Sequence, residues 1–147
     1  MNLANKNIQE ALIQLLQEGK QVEVPAHGMS MYPLLKPGDI LFVSPQKPEK
    51  GDIGVFISQN VLIAHRVYKQ ENATYYFKGD GLVFADRPVN TTEVIGTVVS
   101  RKRHNKDKSC HKGLFWIFKK TMPQLTFITG RLFYYMGRIQ LKLFKDV

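Results

Sequence analysis

The chain predicts a mainly β domain, preceded by a short helix and followed by a basic, helical tail. Three observations carry this. Short runs of alternating or β-branched residues recur between positions 21 and 101, separated by Gly, Pro, Asp and Asn. The first twenty residues instead place apolar side chains at helical spacing. Beyond residue 100 the charge changes: residues 1–100 hold nine Lys/Arg against ten Asp/Glu, and residues 101–147 hold twelve against two. The 147 residues suffice for one domain with a real core, divided as 1–20, 21–101 and 102–147.

In the opening segment Ile8, Leu12, Leu15 and Leu16 fall on one helical face. Asn7 followed by Glu10 fits a capping box, and Gly19 is a suitable stop, so the spacing predicts an amphipathic helix over 7–18. Such a helix packs on its own domain or on a partner more readily than it anchors in lipid. Glu10 and Glu18 interrupt any apolar core, so no secretory signal peptide is expected there. No run of about 18 uncharged apolar residues exists for a spanning helix.

Six strands are expected next, at 21–26, 40–44, 53–57, 61–69, 74–78 and 94–100. Ser58-Gln59-Asn60 suits a hairpin turn, and Gln70-Glu71-Asn72 suits another. Strands this short and this closely spaced argue for a compact barrel or sandwich.

Residues 101–112 read as a basic linker. Beyond it come the aromatic run Leu114-Phe115-Trp116-Ile117-Phe118, then Pro123, then a second helical stretch to about residue 145. Arg131, Arg138, Lys142 and Lys145 are spaced by seven, four and three, which makes one stripe, while most of the remaining circumference is apolar. This pattern suits a membrane surface met by residues 113–147, with Trp116, Arg131, Arg138 and Lys142 in contact. Packing on the β domain or on a second copy is the plainer alternative. No nucleic-acid partner is expected, because the basic residues are not set in a reading motif. The single cysteine, Cys110, excludes an internal disulfide. With His104 and His111 it matches no metal-ligand spacing, and neither metal nor cofactor is expected.

Candidate chemistry begins in the turn-rich residues 28–39, which contain Gly28, Pro33, Pro37 and Gly38 and hold Ser30 between Met29 and Met31. A serine there is an ordinary turn residue, or a nucleophile if the chain supplies a base. His65 is placed for that role, inside the run Val61-Leu62-Ile63-Ala64-His65-Arg66-Val67-Tyr68. Strand alternation puts it on one face with Ile63 and Val67, with Arg66 on the other. It is a satisfied core histidine or a general base. Lys69 shares its face but lies about 13 Å along the strand, too far to serve the same hydroxyl. Asp80 and Asp86 follow in a glycine-rich turn. Either could orient an imidazole, or the turn is simply solvated with an ion pair at Arg87.

Gly28-Met29-Ser30-Met31-Tyr32-Pro33, then Gly38-Asp39, Gly51-Asp52-Ile53, His65-Arg66-Val67, Lys78-Gly79-Asp80 and Ile95-Gly96 stand in an order that resembles the signal peptidase I and self-cleaving repressor superfamily of serine peptidases (S24/S26). The pieces cover about residues 22–100. The resemblance implies a coiled, mostly antiparallel β domain with Ser30 as nucleophile and His65 as base. It implies Asp86 as the orienting acid, with Asp80 as the alternative, and substrate or oxyanion contacts from Gly28, Met29 and Met31. Most bacterial members have a lysine where His65 stands; the histidine form is similar to the endoplasmic reticulum and sporulation-type signal peptidases. Some relatives carry a hydroxyl where this chain has Gly28, and an asparagine is common where it has Gly81.

The function so implied is a serine endopeptidase that cleaves a leader or precursor peptide after a small residue by a Ser-His(-Asp) mechanism. A non-catalytic peptide-binding module with the same fold is the alternative. A self-cleaving regulator fits less well, because residues 1–20 are too short for a DNA-binding domain and no Ala-Gly pair occurs. No membrane anchor is expected before the serine, so the expected location is peripheral, at the cytoplasmic face of a membrane, with a cytoplasmic location or an inserted tail as the alternatives.

Overall fold

The computed structural model describes residues 3–145. Helix α1 spans Leu3–Gln17. It starts a turn before the expected position, so Asn7 lies inside it and does not cap it. It stops where the sequence indicates. Gly19 takes φ +81°, its N–H donates to the Leu16 carbonyl at 3.0 Å, and the Lys20 N–H donates to the Leu15 carbonyl at 2.9 Å. A left-handed residue is needed for that pair of closing bonds, and glycine takes it without strain. Leu12, Leu15 and Leu16 pack on the core. Ile8, expected on the same face, is 55% exposed.

Eight strands are formed by the described residues: β1 Val22–Pro25, β2 Ile40–Ser44, β3 Ile53–Ser58, β4 Val61–Glu71, β5 Thr74–Lys78, β6 Val89–Asn90, β7 Val94–Arg103 and β8 Lys106–Ser109. Their order is β1-β2-β7-β3-β4-β5-β6, with β8 added to β7, and every pairing is antiparallel. The fold is therefore mainly antiparallel β with a helix at each end. Both β1 and β6 leave an edge, so the sheet is not closed.

Register shifts at Phe42/Val43, Val55/Phe56 and Val67/Lys69 bend the sheet. Strand alternation sends neighbouring residues of β3 into different cores. Val55 packs with Leu41, Val43 and Val98. Phe56 packs with Val67, Tyr75 and Phe77. A strand covered on both faces reads as a continuous apolar run, as Ile53-Gly54-Val55-Phe56-Ile57 does. The hairpin turn between β3 and β4 uses two residues, Gln59 and Asn60, at φ 50° and 60°. That pair of positive values matches the right-handed twist of the flanking strands.

The expected linker at 101–112 is instead a hairpin over most of its length. β7 continues to Arg103, His104 and Asn105 turn at φ 47° and 58°, and β8 returns to Ser109. Two of its cations are spent inside the fold. Arg103 donates to both carboxylate oxygens of Asp39, at 2.6 and 2.7 Å, and Arg101 lies 3.7 Å from the same group. The strands thus continue to Ser109.

Helix α2 spans Leu114–Lys145 without interruption, so Pro123 does not divide it. Proline removes the N–H that would bond to the carbonyl of Lys119. That carbonyl lies against Gly51, where an added Cβ would come within 2.2 Å of it. The proline therefore sits where a helix carbonyl faces another part of the chain. Phe115, Met122 and Thr126 are buried along the helix's inner side. No described helix is long and apolar enough to cross a membrane.

Candidate active site

Three Gly-Asp pairs frame the site, and each aspartate holds a cation. Asp39 takes Arg103, which ties residues 28–39 to β7. Asp52 takes Lys119 of α2 at 2.8 Å. Asp80 takes Arg66 through two bonds of 2.8 and 2.6 Å, with both groups buried. Arg66 also donates to the Gly51 carbonyl at 2.7 Å. A buried carboxylate and guanidinium are tolerable only when paired and fully bonded in this way. Burial works against ionisation of Asp39, but the bonds from Arg103 and the Lys36 N–H and the charge of Arg101 outweigh it. Its carboxyl stays below the usual carboxylate range.

The glycines of the third pair decide where Ser30 lies. The Gly81 N–H donates to the Ser30 carbonyl at 2.8 Å. A Cβ at Gly79 would stand 2.5 Å from that carbonyl oxygen, and one at Gly81 would stand 2.7 Å from the Met29 carbonyl oxygen. No side chain fits at either position without moving the serine loop.

His65 follows on β4, with Arg66 turned to the opposite face as strand alternation requires. Its Nδ1 lies 2.7 Å from Asp86 Oδ2, and the edge of Phe56 packs against its ring, with centroids 6.2 Å apart. Asp86 itself is fixed by its N–H, which donates to the Phe77 carbonyl. Asp86 thus meets the histidine, and Asp80, closed off by Arg66, does not. Arg87 pairs with Glu93 instead of either aspartate. With Nδ1 engaged, Nε2 is the ring nitrogen left for other partners.

Ser30 and His65 line one cleft of about 360 Å³. Val24, Pro25 and Ala26 bound one side and residues 61–65 of β4 the other, with Met31 and Leu35 below. Gly28 also lines it. Met29 does not; its side chain reaches toward Gly137 of α2. Both flanking strands are open here. β1 pairs only with β2, and β5 joins β4 only from Arg66 onward. Leu62 and Ala64 therefore turn their free backbone groups outward. One is already occupied: Gln9 of α1 accepts the Leu62 N–H at 3.1 Å. Nothing in the sequence pattern marks Gln9, since it lies more than fifty residues from its partner.

Lys78 is fully buried beside the site. Its Nζ donates to the Leu82 carbonyl at 2.8 Å, the Thr126 carbonyl at 2.8 Å and the Thr126 hydroxyl at 2.9 Å. Burial pushes this ammonium below its ordinary value, against the pull of Asp80 and Asp86. Its place is structural: it fastens the glycine-rich turn to α2. Cys110 is buried too, and burial drives its thiol up to about 12. No group of His, Cys, Asp and Glu suited to a metal ion occurs among the described residues.

A family model described as Peptidase S24-like matches residues 5–99. No curated protein matches the chain.

Proposed function

The chain belongs to the Peptidase S24-like family, and from that premise we propose that it is a serine endopeptidase of the Ser-His-Asp type. It would cleave a leader or precursor peptide after a small residue. The observation that carries this reading is the 2.7 Å contact of His65 with Asp86, at a cleft that Ser30 also lines.

In this reading Asp86 accepts the Nδ1–H of His65 and fixes its tautomer, so that Nε2 takes the Ser30 proton. Ser30 Oγ attacks the scissile carbonyl, and the oxyanion meets the Ser30 N–H. The imidazolium then gives its proton to the leaving amine, and water releases the acyl group by the same route in reverse. The peptide lies extended, bonding to the free edges of β1 and residues 61–65. The largely apolar lining of the cleft supports a substrate segment of uncharged residues.

Absence of a side-chain donor at Gly28 favours the second reading, a peptide-binding module without turnover. Cleavage of a peptide library by the wild type and by Ser30→Ala separates the two. Turnover lost in the variant is expected for the peptidase. Equal rates, or binding without turnover in both, would end it.

A further inference from the structure

We propose that α2 is a docking helix for an anionic lipid surface, lying flat on it with its solvent-facing side. With 3.6 residues per turn the helix divides into three stripes. Phe115, Met122, Thr126, Gly130 and Gly137 form the first and face the domain. Leu125, Ile128, Leu132, Met136, Ile139 and Leu143 form the second. They are large, apolar and exposed, with Ile128 at 75% and Leu143 at 67%. Arg131, Arg138 and Lys142 form the third, along one border of the apolar stripe, and all are exposed.

The apolar stripe extends over about five helical turns and is left exposed along its length by the described residues. Scattered exposed apolar residues need no explanation, but a continuous row of this length does. Charge selects its occupant. α2 carries six Lys/Arg and no Asp or Glu. A second copy of the helix would set cations against cations. A bare polyanion would satisfy the basic stripe and leave the apolar one in water. A lipid interface with anionic headgroups satisfies both, with the apolar stripe among the upper acyl carbons and the cations at the phosphates. Among the described residues Arg131 and Arg138 meet no carboxylate; Arg138 donates to the Tyr134 hydroxyl at 2.9 Å. Trp116, half-exposed with the Lys120 ammonium 4.3 Å from its ring centre, lies toward the basic border near the start of the helix.

The test is co-sedimentation of the full chain with vesicles of phosphatidylcholine, alone and mixed with phosphatidylserine. Cleavage is not part of the readout, so failure of the peptidase reading leaves it intact. The wild type is expected to sediment with the mixed vesicles and much less with phosphatidylcholine alone. Arg131→Gln/Arg138→Gln/Lys142→Gln is expected to bind the mixed vesicles roughly a hundredfold more weakly. Ile128→Glu/Ile139→Glu is expected to lose binding to both. All substituted residues are exposed, and a thermal melt matching the wild type verifies that each variant is folded. Wild-type protein left in the supernatant overturns the proposal. So does binding that neither variant weakens, or a concentration-dependent dimer that the Glu variant abolishes while vesicle binding persists.

Discussion

Asp86 Oδ2 lies 2.7 Å from His65 Nδ1, while Asp80, six residues earlier, is buried against Arg66. Two aspartates in one turn therefore have separate consequences. Asp86→Asn is expected to lower kcat by roughly 10³–10⁴-fold with little change in Tm, because the amide favours the wrong tautomer. Asp80→Asn leaves a buried guanidinium underpaired and is expected to cost about 3–5 kcal/mol of stability. Peptidase assays and thermal melts of both variants check this. A fully stable Asp80→Asn with no activity, beside an active Asp86→Asn, would reverse the assignment.

Gly28 has room for a side chain. A Cβ there meets only the Ser30 amide nitrogen, at 3.9 Å. Gly28→Ser would bring a hydroxyl to the oxyanion side of the nucleophile. The expected result is a kcat higher by roughly ten- to a hundredfold at similar KM. An unchanged kcat in a folded variant would show that the hydroxyl does not reach the oxyanion.

Gln9 occupies a backbone donor that an extended peptide would use. Gln9→Ala frees the Leu62 N–H at the edge of the cleft. KM for peptide is expected to fall by about three- to tenfold, the worth of one hydrogen bond, with kcat nearly constant. A rise in KM would instead make Gln9 a substrate contact.

Asp39 links stability to pH. Its folded carboxyl ionises below the usual value. The stabilisation is therefore complete above the unfolded value near 3.9, and it is withdrawn as pH falls through the lower, folded one. The Tm of Asp39→Asn should lie below the wild type by a constant margin near neutrality. That margin should close as pH falls below about 4. A margin independent of pH would mean that the carboxylate charge contributes nothing.

The strand pattern was legible because alternation and turn chemistry agree with tertiary packing from β1 to β5. His65 and Arg66 fall on opposite faces as the period-two rule requires. Two strands were not legible. Val89–Asn90 is too short to carry a pattern, and Lys106–Ser109 is polar because it pairs at an edge where little is buried. The cations of 101–103 suggested a solvated linker, but the carboxylate that recruits Arg103 lies 64 residues earlier. Pro123 suggested a break, but the helix runs through it, with the carbonyl it leaves unbonded turned toward Gly51. Choosing between Asp80 and Asp86 required knowing which one Arg66 occupies, and linear spacing does not contain that.

The three Gly-Asp clasps bear on how such chains are recognised. Asp39, Asp52 and Asp80 each secure one segment to another, and none of them touches the cleft. Most of the signature that identifies this lineage therefore encodes masonry, not reactivity. A descendant that exchanged Ser30 or His65 for an inert residue would keep every clasp and be sorted into the same kindred. Recognition at that level reports ancestry and architecture. In the reading proposed above, turnover by this chain rests on Ser30, His65 and Asp86, and the clasps are silent about all three.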